Sequence, residues 1–379
     1  MRIVIAPDSF KESLSAMQVA TAIQQGFSEI YPDAEYVKLP MADGGEGTVV
    51  SMIEATNGHY FNEIITGPLG LPVEGVWGLM GDGKTAVIEM AAASGLHHVP
   101  PAQRNPLYTT SHGTGELLLA ALDHGVERII LGIGGSATND GGAGMMQALG
   151  ASLRDAQGQE LEVGGEAIGG LATIDLSGLD PRLANVSVTV ACDVNNPLCG
   201  PTGASAIFGP QKGATPEMVK TLDSALFCYG SLIEQVTGNA VLHAAGAGAA
   251  GGMGAALLGM LNAELRPGID IVIKALQLDS LIENADLVIT GEGRIDSQSI
   301  HGKTPIGVAR SAKRFNKPVI ALAGGLTPDH PVVHDHGLDA VFSVLTQVAT
   351  LPEALQNAER NLRITARNIA SVWKMAREA

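Results

Sequence analysis

A chain of 379 residues with 45% hydrophobic side chains is too long for one core of ordinary size and apolar enough for two, which excludes wholesale disorder and predicts two domains. Its net charge of −16, from 23 Lys and Arg against 39 Asp and Glu, excludes nucleic acid and a polybasic membrane contact, since both need a basic face. No apolar run approaches the roughly 18 residues of a membrane span, the N-terminal strand is too short for a signal peptide, and Cys192, Cys199 and Cys228, odd in number and without CxxC spacing, read as reduced thiols in a cytoplasmic protein.

Residues 2–6 predict a buried parallel-type strand that ends in Pro7-Asp8-Ser9-Phe10-Lys11-Glu12-Ser13. Ser13 or Ser15 caps the helix that follows, with Met17, Val19, Ala20, Ile23, Phe27 and Ile30 on one face. A second strand at 36–39 runs into Asp43-Gly44-Gly45-Glu46-Gly47, and a helix follows over 49–55. Strand, loop, helix, repeated, is a right-handed parallel unit, whose ligands sit beyond the carboxyl ends of the strands. Both polar loops fall there.

Residues 78–85, GLMGDGKT, match the letters of a nucleotide P-loop, but a P-loop needs a helix after its lysine. Strands at 73–79 and 86–90 flank Asp82-Gly83, so the stretch predicts a hairpin. Thr109–Glu116 leads into an apolar helix at 117–122, where His112 is open between a capping and a ligand role.

The stretch 129–150, IILGIGGSATNDGGAGMMQALG, passes from a buried strand through a glycine-rich loop into a helix. Its glycines let successive N–H groups converge on one anion, and Ser136, Thr138, Asn139 and Asp140 surround that point with polar groups. Further strands are predicted at 151–155 and 186–191, the latter delivering Asp193. Lys212 follows in GPQKG, and Thr215-Pro216-Glu217 starts a long helix. Gly246–Gly254 is open between close packing and ligand contact. A strand at 286–290 opens into Glu292, Arg294, Asp296, Ser297 and Lys303; helices at 305–315 and 352–376 and strands at 319–322 and 340–345 complete a second parallel unit. Pro331 denies His330 and His334 the regular helix that would aim both at one ion, so 329–336 reads as a solvated loop.

Five loops thus combine anion-cradling glycine with a carboxylate, a cation or both: Asp8 with Lys11, Asp43 with Glu46, the loop of Asp140, Asp193 with Lys212, and Glu292 to Lys303. Phosphoryl transfer needs this mixture, because N–H groups and cations hold phosphates, carboxylates carry Mg²⁺, and one carboxylate accepts the proton of the attacking hydroxyl. Asp193 and Asp296 each follow a predicted strand and are expected to supply the metal ligand and the general base between them, in an order left open, with Lys11 as a catalytic cation. Substrate and nucleotide binding is expected of Asp8, Ser9, Asp43, Gly44, Gly45, Glu46, Gly134, Gly135, Ser136, Thr138, Asn139, Lys212, Glu292, Arg294, Ser297 and Lys303. A rival reading is an NAD(P)-dependent oxidoreductase. Gly132-x-Gly134-x-x-Ala137 lies between strand and helix, and Asp155 stands 18 residues beyond Ala137, near the place of a ribose-binding acid.

The stretches APDSFKESLSA at 6–16, ADGGEGT at 42–48, LGIGGSATNDGGAGM at 131–145, ACDVNNPL at 191–198, FGPQKGA at 208–214, GAGAAGGMGAAL at 246–257 and ITGEGRIDSQSIHGK at 289–303 resemble the type 1 glycerate kinases. The resemblance implies a two-domain α/β fold, with a Rossmann-like parallel α/β/α domain from residues 1–66 and 285–379 and an inserted mixed α/β domain from 67–284, the active site lying in the cleft between them. It also implies ATP, Mg²⁺ and D-glycerate, with phosphorylation expected at the 2-hydroxyl and the 3-position as the alternative. Which loop takes which substrate, and whether the protein forms a homo-oligomer, is left open by it.

Overall fold

In the computed structural model, which describes residues 1–378, the β-branched run Ile3, Val4, Ile5 is fully buried in the strand Arg2–Ile5, because parallel neighbours stand on both sides of it. Five parallel strands form this sheet, in the order Ala340–Ser343, Val319–Leu326, Leu287–Ile295, Arg2–Ile5, Glu35–Lys38. Helix Ala16–Ser28 starts at Ser15, whose Oγ accepts the Gln18 N–H at 3.2 Å while Gln18 Oε1 accepts the Ser15 N–H at 2.8 Å. Its predicted face buries Val19, Ala20, Ile23 and Phe27 in one core with Ile3, Ile5, Leu287 and Ile289 of the sheet and with Leu362 and Ile369 of the last helix. The predicted 352–376 helix is two helices, Leu351–Gln356 and Ala358–Glu378, separated at Asn357.

A second sheet runs Glu264–Arg266, Ser187–Ala191, Arg128–Gly132, Thr85–Glu89, Pro72–Leu79, His59–Thr66. The first four strands are parallel, and the last two are added antiparallel. The hairpin expected at 78–85 is present. Asp82 Oδ1 accepts the N–H groups of Lys84 and Thr85 at 2.8 and 2.9 Å, and a strand rather than a helix follows Lys84. Trp77, Leu117, Leu131, Val190 and Met253 belong to the core that covers this sheet.

The chain divides into two compact units: Met1–Asp43 with Val50–Asn57 and everything from Gly268 onward, and Gly44–Val49 with Gly58–Pro267. The strand His59–Thr66 belongs to the second because its ladder partner is Pro72–Leu79. Among the described residues no helix is long and apolar enough to cross a membrane, and the three cysteines are free.

Candidate active site

In the first unit, three adjacent parallel strands bring their carboxyl ends to one edge of the sheet, and each delivers an acid: Asp8 after Arg2–Ile5, Asp43 after Glu35–Lys38, and Glu292 within Leu287–Ile295. The Asp8 N–H donates to the Gly291 carbonyl at 2.8 Å, which carries the strand pairing up to the acids. Asp8 accepts the Ser9 N–H at 2.6 Å and the Thr304 hydroxyl at 2.8 Å. Glu292 is buried and accepts the Ser299 hydroxyl at 2.6 Å, with Lys303 Nζ at 3.7 Å. Asp296 has Lys303 at 3.9 Å and Arg294 at 3.2 Å, and caps the short turn 297–300 by accepting the Gln298 N–H at 2.9 Å. The Ser297 N–H donates to Asp329 at 3.3 Å. Lys11 is exposed and close enough to Asp8 to favour its charged form.

Burial, with Asp43 adding its charge, pushes the Asp8 carboxyl up to about 6. Glu292 is pushed up to about 7, first by burial and then by Asp8 and Asp43, against the opposing Ser299 hydrogen bond and Lys303. Between pH about 4.5 and about 7 the folded protein therefore holds a proton at Glu292 that the unfolded chain has lost. Stability falls as pH rises through that window, and the full cost stands above it. Glu292→Gln removes the cost, so urea unfolding at pH 8 should show the variant more stable by on the order of 2 kcal/mol, with no gain at pH 4. Equal differences at the two pH values would contradict this electrostatic account.

In the second unit, Glu89, the loop after Gly132 and Asp193 stand at the carboxyl ends of three neighbouring parallel strands. The loop is anchored from behind at almost every residue. The Leu96 N–H donates to Gly135 C=O at 2.9 Å and the Ala137 N–H to Ser94 C=O at 2.8 Å. The Thr109 hydroxyl donates to Ala137 C=O at 2.9 Å, and Asn139 Nδ2 to Ser205 Oγ at 2.9 Å. Lys212 Nζ donates to Ser136 Oγ at 2.7 Å and to Thr138 C=O at 2.6 Å. Asp140, fully buried, accepts from the Ser111 N–H and hydroxyl at 2.8 and 2.7 Å and from the Gly142 N–H at 3.1 Å, which fixes the entry to helix Ala143–Ala148. Within the loop only Gly134 and Gly135 face solvent, and among the described residues their N–H groups have no partner. Gly135 has φ +74°, where a side chain is strained. Such a loop can take an anion on its exposed amides.

Asp193 is exposed and belongs to this second unit, whereas Asp296 belongs to the first. The segment Gly44–Val49 is held to the second unit by Glu89, which accepts the Val49 N–H at 2.9 Å; Glu46 on that segment is exposed. Glu89, Ser299 and Thr304 escaped the sequence reading, since each acts on a partner distant in the chain or hidden among ordinary polar residues. His112 opens helix His112–Asp123, its N–H bonded to Thr110 Oγ1 at 3.1 Å and its ring 3.5 Å from Glu116. The glycines of 246–254 lie against protein: a Cβ on Gly252 would stand 2.8 Å from Leu226, and the Gly141 N–H bonds Gly251 C=O at 3.0 Å. Close packing accounts for them.

The dinucleotide reading fails on topology. Ser152–Asp155 pairs antiparallel with Leu171–Asp175 in a separate two-stranded sheet, and the parallel neighbours of Arg128–Gly132 are Thr85–Glu89 and Ser187–Ala191. Asp155 is spent on the Gln157 and Gln159 amides of its own turn, at 2.8 and 2.9 Å. The βαβ unit that would bring a ribose-binding acid beside the loop does not form.

The glycerate kinase family model matches residues 3–374 of the chain. A glycerate kinase of Haemophilus influenzae is 61% identical over 372 residues, which are 98% of each chain. A glycerate 2-kinase of Escherichia coli is 61% identical over 371 residues, 98% of this chain and 97% of that one. A crystal structure described as a candidate glycerate kinase 2 of Salmonella typhimurium LT2 matches all of both chains with a TM-score of 0.94 and 63% identity.

Proposed function

Because the chain belongs to the glycerate kinase family, we propose that it transfers the γ-phosphoryl group of ATP to D-glycerate at the 2-hydroxyl, giving 2-phosphoglycerate and ADP. The observation that carries the reading is the likeness over almost the whole chain to a protein named glycerate 2-kinase. The arrangement of each unit supports it. Asp8, Asp43 and Glu292 share one sheet edge, where burial and their mutual charge push the Asp8 and Glu292 carboxyls upward, so the edge concentrates the acids that a phosphoryl-transfer site uses. Mg²⁺ needs only one or two protein carboxylates and completes its shell with phosphate oxygens and water. Held by Asp193 or Asp296, such an ion would supply charge neutralisation for the transferring phosphoryl group.

In this reading Asp193 and Asp296 provide a metal ligand and the proton acceptor between them, while Lys11, Arg294 and Lys303 balance phosphate and carboxylate charge. The exposed amides of Gly134 and Gly135 receive an anionic group of glycerate or nucleotide. Three free thiols favour a reducing, cytoplasmic setting.

Enolase acts on 2-phosphoglycerate and not on the 3-isomer, so it reads the regiochemistry directly. With ATP, Mg²⁺ and D-glycerate, the purified protein coupled to enolase without phosphoglycerate mutase should give a phosphoenolpyruvate signal that tracks ADP release. ADP release with no enolase signal would assign the 3-position. No ADP release dependent on glycerate would reject the activity.

A further inference from the structure

In sequence, Lys212 stands in a glycine-rich turn as a cation ready for a substrate, but its side chain is 1% exposed and its ammonium is already engaged by Ser136 Oγ and Thr138 C=O at 2.7 and 2.6 Å. We propose that Lys212 is a positioning residue, an internal strut beneath the loop 134–139 that holds the Gly134 and Gly135 amides in place for an anionic group of the substrate. The inference rests on the proposed function insofar as that loop is a substrate loop.

The strut is buried, whereas Gly134 and Gly135 of the same loop are exposed. Lys212 ends the turn Pro210–Lys212, and Gly213 follows at φ +94°. The Lys212 N–H donates to Gly209 C=O at 2.9 Å, while Arg104 Nη1 lies 3.5 Å from the Gln211 carbonyl, so the base of the strut is fixed in the second unit. Its tip spans 76 residues of sequence to reach Ser136.

A buried ammonium is a costly way to fill space. Burial pushes Lys212 down to about 7, with the Asp140 carboxylate opposing the shift. Asp140 is itself occupied by Ser111 and Gly142, and the buried Thr138 Oγ1 and Asn139 Oδ1 make no hydrogen bond within the protein. An apolar side chain of the same length would avoid burying a charge, at the expense of leaving the buried Ser136 Oγ and Thr138 carbonyl without this donor. What it could not do is grip the loop at two points, a hydroxyl at 136 and a carbonyl at 138. The charge is therefore assigned to geometry at the loop rather than to stability.

The test compares Lys212→Met with wild type by amide hydrogen exchange, thermal unfolding and steady-state kinetics. Expected is a cooperative thermal transition with at most a modest fall in Tm, exchange in the peptide covering 134–139 faster by tenfold or more with the rest of the map unchanged, and a KM for glycerate or ATP raised at least tenfold. Loop exchange and both KM values within twofold of wild type would overturn the proposal. Faster loop exchange with both KM values unchanged would overturn it too, because Lys212 would then be a packing element only. If the Met variant does not fold, Ser136→Ala removes one of the two grips and is judged by the same exchange and KM criteria. A wild-type protein that does not phosphorylate glycerate defeats the functional reading, while the exchange measurement still reports on the strut.

Discussion

Asp296→Asn should lower kcat by 10²-fold or more, about 2.7 kcal/mol of barrier, in a protein that remains folded, and Asp193→Asn should do the same. Both substitutions keep the shape of the side chain. Asp296 caps the turn 297–300 through Oδ1, and Asn is as good a cap as Asp. The ion pairs it would lose are to Arg294, whose side chain is 69% exposed, and to Lys303 at 3.9 Å, the longest reach of an ion pair, so little stability rests on them. Asp193 is exposed on its unit, and Asn keeps the shape of its side chain. What each substitution removes is negative charge, the property that a metal ligand or proton acceptor requires. Circular dichroism and unfolding of the two variants, beside their turnover with Mg²⁺-ATP and glycerate, separate the roles. A folded Asn variant turning over near the wild-type rate takes its residue out of the mechanism.

The acids were legible because chemistry at a parallel sheet gathers at one edge. Once Arg2–Ile5, Glu35–Lys38 and Leu287–Ile295 are recognised as strands, their following loops must meet, and Asp8, Asp43 and Glu292 with them. Local rules also suffice for the Ser15 cap, the Thr215 start of helix Pro216–Thr237 and the Asp82 hairpin. They fail where the decisive partner is remote. Lys212 looks free in FGPQKGA because Ser136 is far away in the chain, and Asp140 looks like a ligand because Ser111 is. The strand ending at Asp155 has the spacing of a dinucleotide fold, and only its antiparallel pairing with Leu171–Asp175 shows otherwise. Glu89 carries no motif at all. Its task, accepting the Val49 N–H, becomes visible only when the 44–49 segment is seen beside it.

Gly135→Val should abolish binding of one substrate while leaving the second unit's core intact, and Gly134→Ala should reproduce the loss without backbone strain. At Gly135 the φ of +74° makes any side chain costly by about 1–2 kcal/mol, and a β-branched one more so. A Cβ there meets only Ala91 Cβ at 3.6 Å, an ordinary contact, so the packing around the loop would not be broken. At Gly134 a Cβ meets nothing within 4 Å, and no left-handed φ stands in the way. The added methyl therefore sits in open space beside two unpartnered N–H groups, where the only thing it can displace is an incoming ligand. If the glycines serve a tight turn and nothing more, Gly135→Val lowers the melting temperature, Gly134→Ala changes nothing, and both folded proteins bind as wild type does. Calorimetric titration with glycerate and with an ATP analogue, alongside thermal unfolding, distinguishes the two cases. A loss of tenfold or more in the affinity of one ligand for Gly134→Ala, at an unchanged Tm, places the anion on these amides; unchanged binding of both ligands by both variants ends the cradle hypothesis.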